Sequence, residues 1–136
     1  MKAVLDTNII VSGVFFGGVP REILEAWAEG RFELILSPKI FGEYLDTCEE
    51  LATSRPNLRF REILLRLIGE GTLVPDIDSQ EGVTRDPDDD KFMLAARESG
   101  ADVVSGDRDL HEVSGWAGVQ VYTPRDFLDR LDAARE

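Results

Sequence analysis

Acidic side chains stand where short apolar runs stop. Ala3-Val4-Leu5 ends at Asp6-Thr7-Asn8, and residues 101–104, apolar but for Asp102, end at Ser105-Gly106-Asp107-Arg108-Asp109. Between them Thr84-Arg85-Asp86-Pro87-Asp88-Asp89-Asp90-Lys91-Phe92 carries four aspartates in five positions, and Glu43 lies in a segment of helical periodicity opened by Ser37-Pro38. Such oxygen ligands, with no accompanying His or Cys, suit a hard divalent ion, Mg²⁺ or Mn²⁺. Two such ions about 3.5–4 Å apart activate water and stabilise the leaving oxygen in phosphodiester hydrolysis.

The same residues have a purely architectural use. Asp, Thr and Asn all cap helices, and residues 9–14 are apolar enough to be the helix that Asp6 to Asn8 would start. The dense run at 86–90 resists that explanation. A helix N-terminus favours a carboxylate by about 0.3–1 kcal/mol, whereas two unit charges about 4 Å apart at an effective dielectric near 20 repel by about 4 kcal/mol. Capping accounts for one or two aspartates; four in five positions require something cationic nearby.

The elements that must position these groups alternate along the chain. Apolar runs mark strands at residues 3–5, 32–36, 72–77, 101–104 and 119–122. Helical spacing marks residues 21–30, then a helix begun by Ser37-Pro38 with the stripe Ile40, Phe41, Tyr44, Leu45 and Cys48. Further helices carry Phe60, Ile63, Leu64, Leu67 and Ile68; Phe92, Ala95 and Ala96, ending near Gly100; and Phe127, Leu128 and Leu131 after the capping signal Thr123-Pro124-Arg125-Asp126. Residues 54–58 read as a break, 76–82 as an acidic loop and 132–136 as a fraying tail. Alternation of this kind predicts an α/β fold with a largely parallel sheet, and the length predicts a single domain over residues 1–136. In open sheets of that class ligands gather at the carboxyl ends of the strands, where Asp6 and Asp107 fall.

Composition narrows the classes. With 136 residues, 43% apolar and 31% charged, the chain is an ordinary globular domain, and no apolar run approaches the roughly 20 residues of a membrane span. The opening residues lack a signal-peptide pattern, so the expected compartment is the cytoplasm. A lone cysteine, Cys48, excludes an intrachain disulfide and a CxxC site, and the lone His111, read as a surface residue, has no GxSxG nucleophile to serve. A net charge of -12 is the wrong sign for nucleic-acid binding, unless metal ions or a local basic patch reverse the field. Arg55, Arg59, Arg61 and Arg66, with Glu62 as the only acid among them, are such a patch, either a solvated helix face or a contact for RNA phosphate or a partner.

Taken together, Val4-Leu5-Asp6-Thr7-Asn8, Ser37 to Glu43, Asp86-Pro87-Asp88-Asp89-Asp90-Lys91-Phe92, Val104-Ser105-Gly106-Asp107 and Thr123-Pro124-Arg125-Asp126-Phe127-Leu128 resemble the PIN-domain ribonucleases. The likeness is particularly to the VapC-like branch, the toxin components of bacterial and archaeal toxin–antitoxin pairs. The resemblance spans nearly the whole chain and implies a PIN-like fold, a central parallel sheet of about five strands flanked by helices on both faces, and Mg²⁺- or Mn²⁺-dependent endonucleolytic hydrolysis of single-stranded RNA. It implies that Asp6, Glu43, Asp89 and Asp107 form the acidic quartet, with Thr7, Asn8 and Ser105 as polar supports. Asp6 would be the central metal ligand, Asp89 and Asp107 further ligands, and Glu43 a ligand or the base for the attacking water. Asp89 suits the family spacing, with Asp86 and Asp90 as neighbouring alternatives. A cognate antitoxin and a homodimer follow by the same analogy.

Two other classes compete. A phosphotransfer domain also uses strand-end aspartates, but Asp6-Thr7-Asn8 lacks the second aspartate of haloacid-dehalogenase-like folds and the paired acids of receiver-like ones. A catalytically inactive PIN-like module that binds RNA or a partner protein through the arginine-bearing helix is the stronger alternative.

Overall fold

In the computed structural model, residues 1–57, 59–79 and 82–134 are described. The first strand, β1 (Lys2–Leu5), is buried along Ala3, Val4 and Leu5. Both of its faces are buried, which is why three consecutive apolar residues suit it better than alternation. Asp6 ends β1 and starts α1 (Thr7–Phe15), its Oδ1 accepting from the backbone N–H of Ile9 at 3.0 Å. The chain continues through α2 (Gly18–Ala28), β2 (Glu33–Leu36), α3 (Pro38–Ser54), α4 (Phe60–Glu70) and β3 (Thr72–Leu73). A 3₁₀ turn (Pro87–Asp89) then leads into α5 (Asp90–Ser99), β4 (Asp102–Val104) and α6 (Arg108–Glu112). A second 3₁₀ turn (Trp116–Gly118), β5 (Val121–Tyr122) and α7 (Pro124–Ala133) complete it.

All strand pairs are parallel, in the order β3-β2-β1-β4-β5. The chain therefore moves outward from β1 to β3, returns across β1 to β4 and moves outward again. Right-handed crossovers then put α1 to α4 on one face and α5 and α6 on the other. The packing agrees: α1 meets α2, α3 and α4, while α5 lies on β1, β2 and β4, and α7 joins the first layer against α2. The fold is thus the single α/β domain expected. The reversal of direction between β1 and β4 creates a switch point, the crevice in which such sheets bind ligands.

Local chemistry fixes the ends of the elements. Ser37 caps α3 with Pro38 at its first position, and Thr123 caps α7, its hydroxyl accepting from Asp126 N–H at 3.1 Å. Gly100, at φ +71°, ends α5 in the left-handed conformation that glycine adopts without strain. Gly71 serves by its size, because a Cβ there would sit 2.4 Å from the Leu36 side chain and 2.5 Å from the Leu67 carbonyl.

Two strands are shorter than their apolar runs. The expected strand at 72–77 stops at Leu73: Val74 makes one more ladder bond to Leu36 O at 2.8 Å, and Pro75 has no N–H to continue it. Asp76 instead turns back, both its carboxylate oxygens accepting from the Lys39 N–H at the start of α3. The expected strand at 119–122 begins only at Val121, because Val119 closes the preceding turn, accepting from Gly115 N–H at 2.7 Å. That turn holds Ala117 at φ 52° and had no marker in the apolar pattern. In the expected break at 54–58, acidic loop at 76–82 and fraying tail at 132–136, Leu58, Gln80, Glu81, Arg135 and Glu136 lie outside the described residues, while Asp132 and Ala133 are still helical. Among the described residues no helix is long and apolar enough to cross a membrane.

Candidate active site

At the switch point the carboxyl ends of β1 and β4 lie side by side, Leu5 in register with Val104. Asp6 N–H donates to Val104 O at 3.0 Å, and the Asp6 side chain is only 5% exposed. Its Oδ1 caps α1, while its Oδ2 accepts from the fully buried hydroxyl of Ser105. The same Ser105 oxygen accepts from Asp107 N–H at 2.9 Å, and Asp107 in turn caps α6, its Oδ1 accepting from Asp109 N–H at 2.9 Å. Capping and site placement are therefore not rival explanations of these aspartates. One carboxylate oxygen opens a helix, and the turn that does so carries the side chain to the strand end.

Burial, first of all, and then the nearby charge of Asp107 push the Asp6 carboxyl above its ordinary range, against the hydrogen bonds from Ser105, Ile9 and Asn8. Asp89 is pushed up to about 6, by burial, then by Asp107 and Asp86, with Glu43 adding to the rise and Lys91 opposing it. Asp6, Glu43, Asp89 and Asp107 thus share one field. The run at 86–90 divides its labour. Asp86 caps the 3₁₀ turn through Asp88 N–H at 3.0 Å, and Asp90 is committed to the preceding loop, accepting from Thr84 N–H and Thr84 Oγ1, both at 2.8 Å. Asp89 is the member that feels the other site carboxylates.

Glu43 reaches the site from α3. Its Oε1 accepts from the buried Thr7 hydroxyl at 2.5 Å, and its Oε2 is 2.5 Å from Lys91 Nζ. Thr7 thus holds Glu43, whereas Asn8 is exposed beside it. Among the described residues no three acidic, His or Cys side chains are gathered closely enough to grip an ion as they stand. The donor chemistry is that of a hard divalent cation: oxygen only, with two carboxyls raised by burial and by the charge of Asp107, a cost that a cation would relieve.

Three residues of the site carried no such role in the sequence. Tyr44, one of the apolar stripe of α3, is fully buried and donates its hydroxyl to Leu5 O at 2.5 Å, fixing α3 to the end of β1. Burial, and then the charges of Asp6 and Glu43, keep that phenol protonated. Lys91 was visible only as a break in an acidic run. His111, expected at the surface, is half-buried and its Nε2 lies 2.6 Å from Ser105 O, because the unanticipated α6 folds it back over the end of β4. The signal for α6 was present in Asp107-Arg108-Asp109, a cap followed by an acid in the first turn.

The four arginines do not join this rim. From Glu43, helix α3 leads away from the site for about another 12 residues, about 18 Å, before Arg55. Helix α4 is tied to the far end of α1, Asn57 Nδ2 donating to Val14 O at 3.0 Å and Phe60 packing on Phe15. Arg66 reaches Ala28 O, next to the start of β2, and pairs with Glu70 at 2.5 Å; Arg59 and Arg61 lie 3.8 and 3.9 Å from Glu62 and Glu49, and Arg55 covers the exposed ring of Phe16. They form a separate surface at the amino ends of the strands.

Known proteins offer three comparisons. The family described as PIN domain matches residues 2–109. An uncharacterised protein of Methanocaldococcus jannaschii, MJ1680, is 27% identical over 143 aligned positions, covering 97% of this chain and 92% of that one. Among solved structures, PAE2754 from Pyrobaculum aerophilum superimposes with a TM-score of 0.66 at 15% identity, covering 98% of this chain and 90% of its own. A chain of VapBC2 from Rickettsia felis, crystallised bound to a DNA fragment from their promoter, superimposes with a TM-score of 0.62 at 14% identity, covering 90% and 98% respectively. At these identities the structural likenesses speak for the fold.

Proposed function

The chain belongs to the PIN-domain family, whose members are generally nucleases that use divalent metals, and from that premise we propose that it is a Mg²⁺- or Mn²⁺-dependent endoribonuclease acting on single-stranded RNA. The observation that carries the proposal is the joining of Asp6 to Asp107 through Ser105 at the switch point, with Asp89 and Glu43 in the same electrostatic field.

In this reading Asp6, Asp89 and Asp107 hold the metal, and Glu43 is either a further ligand or the base for the attacking water. When bound, the ion supplies Lewis-acid stabilisation of charge on the phosphodiester. The chain supplies the rest. Ser105 and the N–H of Ile9 orient Asp6, Thr7 orients Glu43, and Asp86 and Asp90 set the turn that presents Asp89. Tyr44 holds the floor under Asp6 rigid. The VapBC2 likeness supports a role as the toxin of a toxin–antitoxin pair, with a cognate antitoxin, a cytoplasmic location and a homodimer as its corollaries.

The test is cleavage of single-stranded RNA by the full chain in Mn²⁺, Mg²⁺ or EDTA, with wild type, Asp6→Asn and Asp89→Asn compared. Cleavage by wild type only, and only with metal, is the expected result; cleavage by Asp6→Asn overturns the assignment. The absence of a ready three-carboxylate grip among the described residues favours a second reading, an inactive module that binds RNA or a partner. RNA binding or partner binding without cleavage under any metal condition would decide for it.

A further inference from the structure

Lys91 stands inside the acidic site. Its side chain is 15% exposed; its ammonium lies 2.5 Å from Glu43 Oε2, donates to the Asp88 carbonyl and sits 4.8 Å from the centre of the Phe92 ring. Glu43 is 36% exposed and held at both oxygens, by Lys91 on one and by Thr7 Oγ1 on the other. A carboxylate gripped in this way offers little to a metal. An ion approaching Oε2 would also meet an ammonium already in contact with that oxygen, and a buried like charge is weakly screened.

We infer that the site takes a single divalent ion, on the Asp6, Asp89 and Asp107 side, and that Lys91 with Glu43 occupies the place where a second ion would otherwise balance the charge. The Lys91 ammonium already supplies the positive charge at Glu43 Oε2, so a second ion could reach that oxygen only by displacing it. The cation that the aspartate run requires is in part supplied by the lysine that follows it. Lys91 is then a positioning residue: it fixes Glu43 and keeps it from being consumed as a ligand, leaving it on the side of water activation. This inference rests on the metal-site reading above and sharpens it.

The experiment is calorimetric titration of Mn²⁺ into the full chain, wild type, Lys91→Met and Lys91→Arg, with RNA cleavage measured in parallel. One ion per chain is expected for wild type and Lys91→Arg. Lys91→Met, having lost a neighbouring positive charge, should bind Mn²⁺ about tenfold more tightly or accept a second ion. Its kcat should fall while KM changes little, and Lys91→Arg should restore much of the loss. A second ion accepted only once Lys91 is gone, together with a fall in kcat that arginine rescues, is a change that a lysine serving the fold alone would not produce. Two ions bound by wild type overturn this inference while leaving the nuclease reading intact, and that stoichiometry is decisive even if Lys91→Met does not fold. Unchanged affinity and stoichiometry in a folded Lys91→Met also overturn it. No Mn²⁺ binding by wild type overturns both readings.

Discussion

Ser105 donates its hydroxyl to Asp6 Oδ2 across a sequence separation of 99 residues, and takes the N–H of Asp107 on the same oxygen. One buried hydroxyl thereby sets the relative position of two carboxylates on adjacent strands. Ser105→Ala would leave Asp6 short of a donor and Asp107 N–H short of an acceptor. Leaving buried groups unpaired costs about 1–3 kcal/mol, and the urea midpoint should drop accordingly, with Mn²⁺ affinity weakened in parallel. An unchanged midpoint and affinity would show that the two carboxylates are positioned without it.

Asp89 makes stability depend on pH with an unusual sign. Its carboxyl is raised to about 6, whereas in the unfolded chain it returns to the ordinary value of 3.8. Between those values the folded state holds more protons, so this contribution to stability falls as pH rises through the window. Urea midpoints taken from pH 4 to pH 7 without metal should show that decline in wild type and a smaller one in Asp89→Asn, where the raised carboxyl of Asp6 remains. Mn²⁺ competes with the same proton, so its affinity should rise across the same interval.

Tyr44→Phe removes the hydroxyl that holds Leu5 O. The ring still fills its place in the core, so the cost should be that of one buried hydrogen bond with its acceptor left unpaired, about 1–3 kcal/mol, rather than that of a cavity. Chemical denaturation measures it. A loss well above this range would mean that the ring itself had shifted.

For the arginine surface, the geometry predicts that replacing Arg59 and Arg66 together with alanine leaves kcat for RNA cleavage unchanged, because both lie at the amino ends of the strands, away from Asp6. Salt titrations of RNA binding give the second readout, since a phosphate-contacting arginine contributes to the slope. A flattened slope with unchanged kcat would make this surface a remote RNA contact, and a fallen kcat would contradict the separation of the two regions.

The outlines of this architecture could be read in the sequence because short buried strands leave a local mark. Runs such as Ala3-Val4-Leu5 end at polar residues, and in a parallel sheet every such ending falls on one edge. The convergence of Asp6 and Asp107 followed from that rule alone. Which aspartate of the run faces inward did not. Asp86, Asp89 and Asp90 differ in partners contributed by Asp88, Asp107 and Thr84, and only the folded turn sorts them. Tyr44, Lys91 and His111 were hidden for a related reason. Each has an apolar body or a long stem that satisfies the local pattern, while its polar tip acts on a residue between 6 and 48 positions away.

The pairing of β1 with β4 has a consequence during synthesis. The first strand is made well before Val103 and Val104, its partners on one side, which follow about a hundred residues later. A nascent chain that stops short of Ser105 has Asp6 and Glu43 but neither the hydroxyl that orients Asp6 nor Asp107. Domains complete such long-range pairings only when both segments are free to meet. Until Ser105 and Asp107 have been made, the carboxylate at the end of β1 lacks the partners that place it.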